Sequence, residues 1–576
     1  LKQIKSHIAE QVADAVRGIS GAGVDQSQLV DLIETPPSDE MGDLALPCFH
    51  LAKAFRKSPA AIASELAGKI VSSDIIARIE ATGPYLNFFL RHDRIIADTI
   101  TEIKSRGYDY GKNDIGLGKT IVIDYSSPNI AKPFGIGHLR STVLGAALKR
   151  ILQYQGYKVY GINHLGDWGT QFGKVILAFK LWGDKNKLIE NPIEYLYDLY
   201  VRMHQEEEKD PTLIDKAREE FRKLEKADPD NFELWKQFSD LSRCEFDKIY
   251  DILDVNFEAT AGESFYNDKN ARAESLLREK GLLSESREAT IVDLEPYGLQ
   301  PMLVKRSDDA TLYATRDLAA AVYRKETYNF HKMLYVVGVA QSLHFQQLFK
   351  VLELLDFSWA KDCHHISFGW VKLGDEMMST RKGNIIFLED VIAKAVELAG
   401  KIIREKSPDL PDPEKTARDV GIGAVVFTDL AFRRETDISF DWDRMLDFSG
   451  NSGPYLQYTH ARICSVLRKY GKPVPETFDI ALLGLPEEYA IAKKLGIFPD
   501  VIDRAAREYE PFHLSSYLLE LCGLFNTYYQ KYKSPDDRII SANPEKAASR
   551  IALIDCARHI LRSGLTILGM KAPEMM

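Results

Sequence analysis

The stretch Asp124–Gly145, DYSSPNIAKPFGIGHLRSTVLG, decides the fold of this chain. It follows the apolar run Ile121, Val122 and Ile123. It leads into Leu139, Val143, Leu144, Ala147, Leu148, Ile151 and Leu152, whose spacing near three and four marks one buried helical face. Gly156 ends that pattern and a β-type run, Val159–Ile162, follows, so the spacing predicts a strand–helix–strand crossover of a parallel sheet. Between the first strand and the helix lie Pro128, Pro133, Gly135 and Gly137, then His138 and Arg140. Glycine admits a ligand close to the backbone, and a helix start offers unpaired N–H groups and a positive dipole end, so the junction suits phosphate. A nucleotide site and a plain tight turn both fit this loop. Neither common fingerprint decides between them: Arg140 stands where a dinucleotide motif has its third glycine, and no Walker-type glycine loop ending in Lys-Ser or Lys-Thr is present.

Working outward, 576 residues are too many for one core and predict about three or four domains. No run of eighteen apolar residues occurs and nothing at the start resembles a signal peptide, so a cytoplasmic protein with no membrane association is expected. The six cysteines are scattered without a CxxC pair, which argues against a zinc site and fits a reducing compartment. A net charge of −10 speaks against a generally basic nucleic-acid binder, although one face can still concentrate basic residues.

SSPNIAKPFGIGHLRST resembles the first signature (HIGH) of class I aminoacyl-tRNA synthetases, in the form typical of arginyl-tRNA synthetases. The segments NHLGDWGTQFG (163–173), LYATRDLAAA (312–321), AQSLHFQQ (340–347), MSTRKGN (378–384) and GPYLQYTHAR (453–462) are similar to that family in the same order, so the resemblance spans the chain. It implies an α/β fold: a Rossmann-type class I catalytic domain over 113–390 with a helical insertion at about 184–275. An N-terminal α+β add-on domain over 1–112, a helical bridge over 391–448 and an all-α anticodon-binding domain over 449–576 complete it. The patterns agree: helical periodicity at 2–18, 50–70, 454–470, 486–508, 513–532 and 544–569, a helix start at Ser58-Pro59, a strand at Tyr85–Leu90, and resumption of the nucleotide fold near Ala289–Asp293.

The resemblance also implies the reaction. Arginine attacks the α-phosphate of ATP, carried with Mg²⁺, to give arginyl-adenylate and pyrophosphate; arginine then passes to the terminal adenosine of tRNA(Arg), whose presence the family generally needs for the first step. Such chemistry calls for donors and cations rather than a nucleophile. The family's catalytic positions map to Lys132, His138, Ser379, Arg381 and Lys382, and its ATP positions to Gly135, Gly137, His138, His344 and Met378. Here the sequence departs from the wider class. Gly135 replaces the first histidine of HIGH, and Met377 and Thr380 replace the two lysines of KMSKS, so Lys132 is expected to supply compensating charge.

For the amino acid, Asp124, Tyr313 and Asp317 map to the guanidinium, Asn129 and Gln341 to the α-amino and carboxylate end, and Ser127 joins this set. A planar, permanently charged guanidinium demands carboxylates and neutral acceptors, and Tyr313 and Asp317 are spaced to share one helical face. His164 is expected to pack and position. For tRNA, Tyr85 and Asn87 correspond to the family's contact with the D-loop, while Tyr455, Arg462, Tyr529 and Met576 fall in the anticodon-binding domain, beside a basic stripe of Arg462, Arg468, Lys469 and Lys472 interleaved with Tyr458, Tyr528 and Tyr532. A monomer without a tightly bound metal is expected. The rival readings are a related synthetase for another amino acid, opposed by the two acids, and a catalytically silent RNA-binding paralogue.

Overall fold

The structure is a computed structural model that describes residues 2–20, 23–286, 289–306, 313–372 and 387–576. The chain divides into two compact units: Leu1–Gly111 with Arg462–Asp503 and Tyr517–Ser563, and Lys112–Ala461 with Arg504–Ser516 and Gly564–Met576.

In the first unit, helix Lys2–Ser20 covers a three-stranded sheet of order β1-β3-β2, with β1 at Leu44–Pro47, β2 at Ile76–Thr82 and β3 at Tyr85–Leu90. Ile8, Val12, Leu44, Leu46, Leu66 and Phe88 form its core, each fully buried. Ser58 caps helix Pro59–Ala67 as its sequence predicts, its hydroxyl accepting from the Ala61 N–H. The segment expected as an independent N-terminal domain is tied to helical segments of the same unit. Asp43 accepts hydrogen bonds from Lys493 Nζ at 2.9 Å and from the Tyr489 hydroxyl at 2.7 Å. Among those helices, Glu488 and Arg550 are both wholly buried and meet at 2.6 Å. Tyr528 donates to Glu488, and Arg550 donates to the carbonyls of Asp536 and Arg538.

The second unit is built on a five-stranded parallel sheet of order β11-β10-β4-β5-β6. β4 is Thr120–Asp124, β5 Lys158–Asn163, β6 Ala259–Thr260, β10 Lys332–Tyr335 and β11 Cys363–His365. The predicted crossover is present: β4, helix Ile136–Tyr154, then β5. The helix packs closely because Gly145 lacks a side chain; a Cβ there would lie 2.3 Å from the Tyr125 ring. Since the chain runs from β4 to β5 on one side and later places β10 on the other, the sheet reverses its order beside β4. Ligands settle at such a point, beyond the carboxyl ends of the strands.

Two expectations need correction. Ala289–Val292, expected to resume the nucleotide fold, is β8 of a separate antiparallel sheet with β7 (Leu283–Ser286) and β9 (Met302–Arg306). It pairs antiparallel with both neighbours, with Ile291 and Val292 buried and Ala289 and Thr290 half-buried. The insertion consists of helices Lys185–Glu190, Pro192–Lys209, Thr212–Glu225 and Pro229–Leu253, and the chain rejoins the main sheet at β6, ahead of the expected end near 275. A two-residue strand is too short to leave a periodic signal. Beyond it, helices Leu388–Lys406 and Pro413–Leu430 make the bridge, and helices Gly453–Tyr470, Pro486–Gly496, Phe498–Glu508, Phe512–Lys531 and Pro544–Leu568 follow. Among the described residues no helix is long and apolar enough to cross a membrane.

Removing one member of a buried ion pair leaves the other charge uncompensated. Glu488→Ala is therefore expected to destabilise its unit by about 3–5 kcal/mol, measured as a lower urea midpoint of the full chain; an unchanged midpoint would contradict the role assigned to this pair.

Candidate active site

At the carboxyl end of β4 the backbone leaves the sheet in an unusual path. Ser126, Ser127 and Ala131 have φ of 72°, 51° and 57°, left-handed values that cost energy for residues with a side chain. Hydrogen bonds from several elements hold them. Ser126 N–H donates to Ser141 Oγ at 2.9 Å, its hydroxyl shares bonds of 2.8 Å with Thr142 and Tyr250, Ser127 N–H donates to Asn163 Oδ1, and Ala131 N–H donates to Ser242 Oγ. The loop then opens helix Ile136–Tyr154 at Gly135.

Over this loop lies a cavity of about 560 Å³, lined by Asp124, Ser127, Asn129, Gly137, His138, Asp317, Gln341 and His344 together with residues the sequence reading had not assigned to binding. Asn129 is seated across Gly166, where a Cβ would stand 2.0 Å from its Oδ1, and so only glycine admits it. Gly137 is exposed, and a Cβ on it would meet nothing within 4 Å, so the helix start is open on the cavity side. The Gly135 N–H donates to His138 Nδ1 at 3.2 Å, which leaves the ring proton on Nε2. Burial, aided by the charge of Lys132, pushes the His138 pKa down to about 4 against that bond. His138 is thus a neutral donor near pH 7 rather than a cation.

Asp317, on the same cavity wall, projects from helix Tyr313–Tyr328, its Oδ2 accepting from His344 Nε2 at 2.6 Å. Burial alone would raise this carboxyl, but the His344 bond and the charges of His344, His164 and Arg324 outweigh it and hold the pKa below the usual carboxylate range. For His344, burial is likewise outweighed by Asp317, and its pKa is raised. His164 Nδ1 donates to the Ala261 carbonyl at 2.9 Å, and its Nε2 stands 3.9 Å from Asp317 Oδ1. It lines the cavity as well as packing. Asp124, expected to take an external guanidinium, already holds an internal one: Arg324 Nη1 lies 2.8 Å from its Oδ2, both side chains nearly inaccessible, and Ser127 donates to its other oxygen. No sequence pattern links Arg324 to Asp124; the pairing exists because the helix lies over the strand end.

Several predicted residues lie elsewhere. Gly135 is buried at the helix cap and Lys132 Nζ sits 4.8 Å from the centre of the Tyr200 ring; neither lines the cavity, although the charge of Lys132 is felt at His138. The side chain of Tyr313, and Met378, Ser379, Arg381 and Lys382 altogether, are outside the described residues. Ser126, Ser141, Gly166, Glu263, Arg316, Phe345 and Phe368 line the cavity unpredicted. Arg316 could have been suspected beside Asp317; Glu263, in GESF, carries no periodic or spacing signal.

Of the residues expected to meet RNA, Tyr85 is exposed, with its ring edge-on to the exposed Phe49. Asn87 corrects its expectation: it is 3% exposed and its amide donates to Thr82 Oγ1, although alternation along β3 places it on the face opposite the core residues Leu86 and Phe88. Arg462 donates to Asn526 at 2.5 Å and lies over the Tyr529 ring. Tyr455, Tyr529 and Met576 are each half-buried, whereas Tyr528, counted among the stacking candidates, is fully buried.

Comparison with known proteins decides the family. The model for the catalytic domain of class I tRNA synthetases (R) matches residues 99–442, that for the arginyl tRNA synthetase N-terminal domain matches 2–90, and that for the DALR anticodon binding domain matches 456–576. The chain belongs to the arginyl-tRNA synthetase family. The arginine–tRNA ligase of Alkaliphilus metalliredigens is 47% identical over 576 residues, covering 100% of both chains, and that of Halothermothrix orenii is 46% identical over 95% of this chain and 96% of its own. Among solved structures, the Thermus thermophilus arginyl-tRNA synthetase superposes with a TM-score of 0.83 at 26% identity, covering 99% of each chain. The Plasmodium falciparum arginyl-tRNA synthetase shares the fold at a TM-score of 0.82 and 23% identity, covering 100% of this chain and 99% of its own. The cavity therefore lies in the catalytic domain of a class I synthetase, at the carboxyl end of its parallel sheet.

The accepting bond from Gly135 and the burial of the ring predict that His138 stays neutral, as the Nε2–H tautomer, from about pH 8 down to about pH 5. Histidine-labelled ¹⁵N NMR should report this, and a His138 midpoint above 6 would contradict it.

Proposed function

We propose that this cavity condenses L-arginine with ATP·Mg²⁺ and that the chain then charges tRNA(Arg). Arginine–tRNA ligation is the activity of the family to which the chain belongs. The observation that carries the residue-level reading is that one cavity is lined both by an acid with neutral amides and by phosphate-type donors. Asp317 and the amides of Asn129 and Gln341 line it together with His138 and the open helix start at Gly137.

On this reading Asp317, kept ionised, receives the guanidinium, and Asn129 and Gln341 orient the α-amino and carboxylate groups. A carboxylate oxygen of arginine attacks the α-phosphate in line, the bond to the bridging oxygen breaks and pyrophosphate leaves. His138 Nε2–H and the N–H groups at the helix start donate to phosphate oxygens, a stabilisation that needs no proton movement from the enzyme. Lys132 adds positive potential at that end, and residues 378–382 complete the phosphate contacts as the family motif implies. Mg²⁺ would enter with ATP as part of the substrate and offset phosphate charge. A ribose hydroxyl of the terminal adenosine next attacks the arginyl carbonyl and AMP departs. Asp124 acts indirectly, its charge matched by Arg324, by seating Ser127 and the helix that bears Asp317. Tyr85, Arg462, Tyr455, Tyr529 and Met576 are the tRNA contacts, and the enzyme works as a cytoplasmic monomer.

ATP–pyrophosphate exchange with tRNA present tests the division of labour. Asp317→Asn should raise the KM for arginine by about a hundredfold or more, the scale of an unpaired buried charge, and leave the KM for ATP within about threefold. Equal losses for both substrates would overturn it.

A further inference from the structure

Arg140 follows His138 by two residues on helix Ile136–Tyr154 and takes no part in the chemistry derived above. Its side chain is 1% exposed, and its Nε stands 3.0 Å from Oδ1 of Asp429, a buried acid of helix Pro413–Leu430. Among the described residues, Arg140 Nη2 and Asp429 Oδ2 have no hydrogen bond. Burial, against the charge of Arg140, raises the Asp429 pKa to about 6, so both partners are charged near about pH 8. A buried pair that leaves polar atoms unsatisfied recovers little of its desolvation cost, and stability alone does not account for it.

What the pair reaches does account for it. Arg140 Nη1 donates to the Trp370 carbonyl at 3.4 Å, beside the N–H of Ile438, and the guanidinium lies 6.0 Å from the centre of the Phe368 ring. Phe368 and His138 both line the cavity, yet they come from segments far apart in the chain. Other groups hold the 368–370 stretch from its remaining sides: the Val339 N–H donates to the Phe368 carbonyl, the Gly369 N–H to the Arg434 carbonyl and the Trp370 N–H to Asp437 Oδ1 at 2.8 Å. Strand Val371–Lys372 follows, paired in parallel with Ile438–Ser439, and leads in sequence to the motif at 378–384. Arg140 thus joins the helix that begins at the first signature to the strand that precedes the second.

We infer that Arg140, seated on Asp429, is a positioning residue for the reaction with ATP: it sets the helix start that bears His138 against the stretch from Phe368 to Lys372, and so fixes the spacing of the phosphate donors without touching substrate. This rests on the reading given above, in which His138 and residues 378–382 contact ATP. Donors to an in-line displacement act only when held within about half an ångström of the productive geometry, and a shift of about 1 Å can cost about a hundredfold in rate. The guanidinium suits the task because one rigid planar group faces the Asp429 carboxylate and the Trp370 carbonyl at once. A lysine ammonium, a single point charge, cannot hold both.

The test sets catalysis against stability, with ATP–pyrophosphate exchange in the presence of tRNA at about pH 8 and urea unfolding of the same full-length variants. The double variant Arg140→Met with Asp429→Leu replaces the pair by apolar side chains of similar volume. It should keep the wild-type urea midpoint or exceed it. Its kcat should nevertheless fall at least about tenfold while the KM for arginine stays within about threefold. Arg140→Lys, which keeps the charge and loses the fork, should recover part of that kcat, and it carries the test through kcat against the KM for arginine if the double variant does not fold. A kcat within about threefold of wild type, a loss of activity that accompanies a lower urea midpoint, or an equal rise in KM for both substrates overturns the inference. Exchange left unchanged by His138→Gln would instead overturn the reading beneath it.

Discussion

The buried pair between Arg324 and Asp124 is the constraint on which the catalytic unit depends. Taking both charges out of water is expensive, and the 2.8 Å contact offsets that cost only because the guanidinium also donates to the Tyr266 hydroxyl and lies near the Tyr335 ring. The bond fastens helix Tyr313–Tyr328 to the end of the central strand. Arg316 and Asp317, two turns earlier on that helix, then come to the cavity at a set height above the sheet. An internal guanidinium thus builds the scaffold of the cavity.

The loop after β4 stands under a second constraint. Left-handed backbone at Ser126, Ser127 and Ala131 persists because Ser141, Thr142, Asn163, Ser242 and Tyr250, drawn from separate elements, supply its hydrogen bonds. That network aims the start of helix Ile136–Tyr154 into the cavity before any ligand arrives. Donors fixed in this way need no reorganisation when charge develops on phosphate, which is the main contribution a protein can make to an in-line displacement. A neutral His138 suits the task. With its proton on Nε2 it presents a donor to the cavity without a charge.

Much of this was legible in the sequence because it is local. The apolar run before Asp124, the helical face from Leu139 to Leu152 and the strand at Val159 identify the crossover, and Ser58-Pro59 marks a helix start that the structure contains. Ala289–Val292 reads as a strand and is one, yet nothing in four residues says which sheet it joins. β6, two residues long, leaves no pattern at all. Asn87 carries the right chemistry for reading a base, but neighbouring structure covers it and its amide is bonded to Thr82.

The sequence by itself determined the kinds of element, the order of motifs that mark an arginyl-tRNA synthetase, and the residues Asp124, Asn129, Gly137, His138, Asp317, Gln341 and His344 that line one cavity. These are properties of short stretches, set by spacing and residue type. Only the tertiary structure decided which charges are spent on one another. Asp124 turned from ligand to anchor through Arg324, and Glu263 became the cavity acid whose Oε2 has no hydrogen bond among the described residues, because electrostatic partnership depends on distance in space and is strong only where water is excluded.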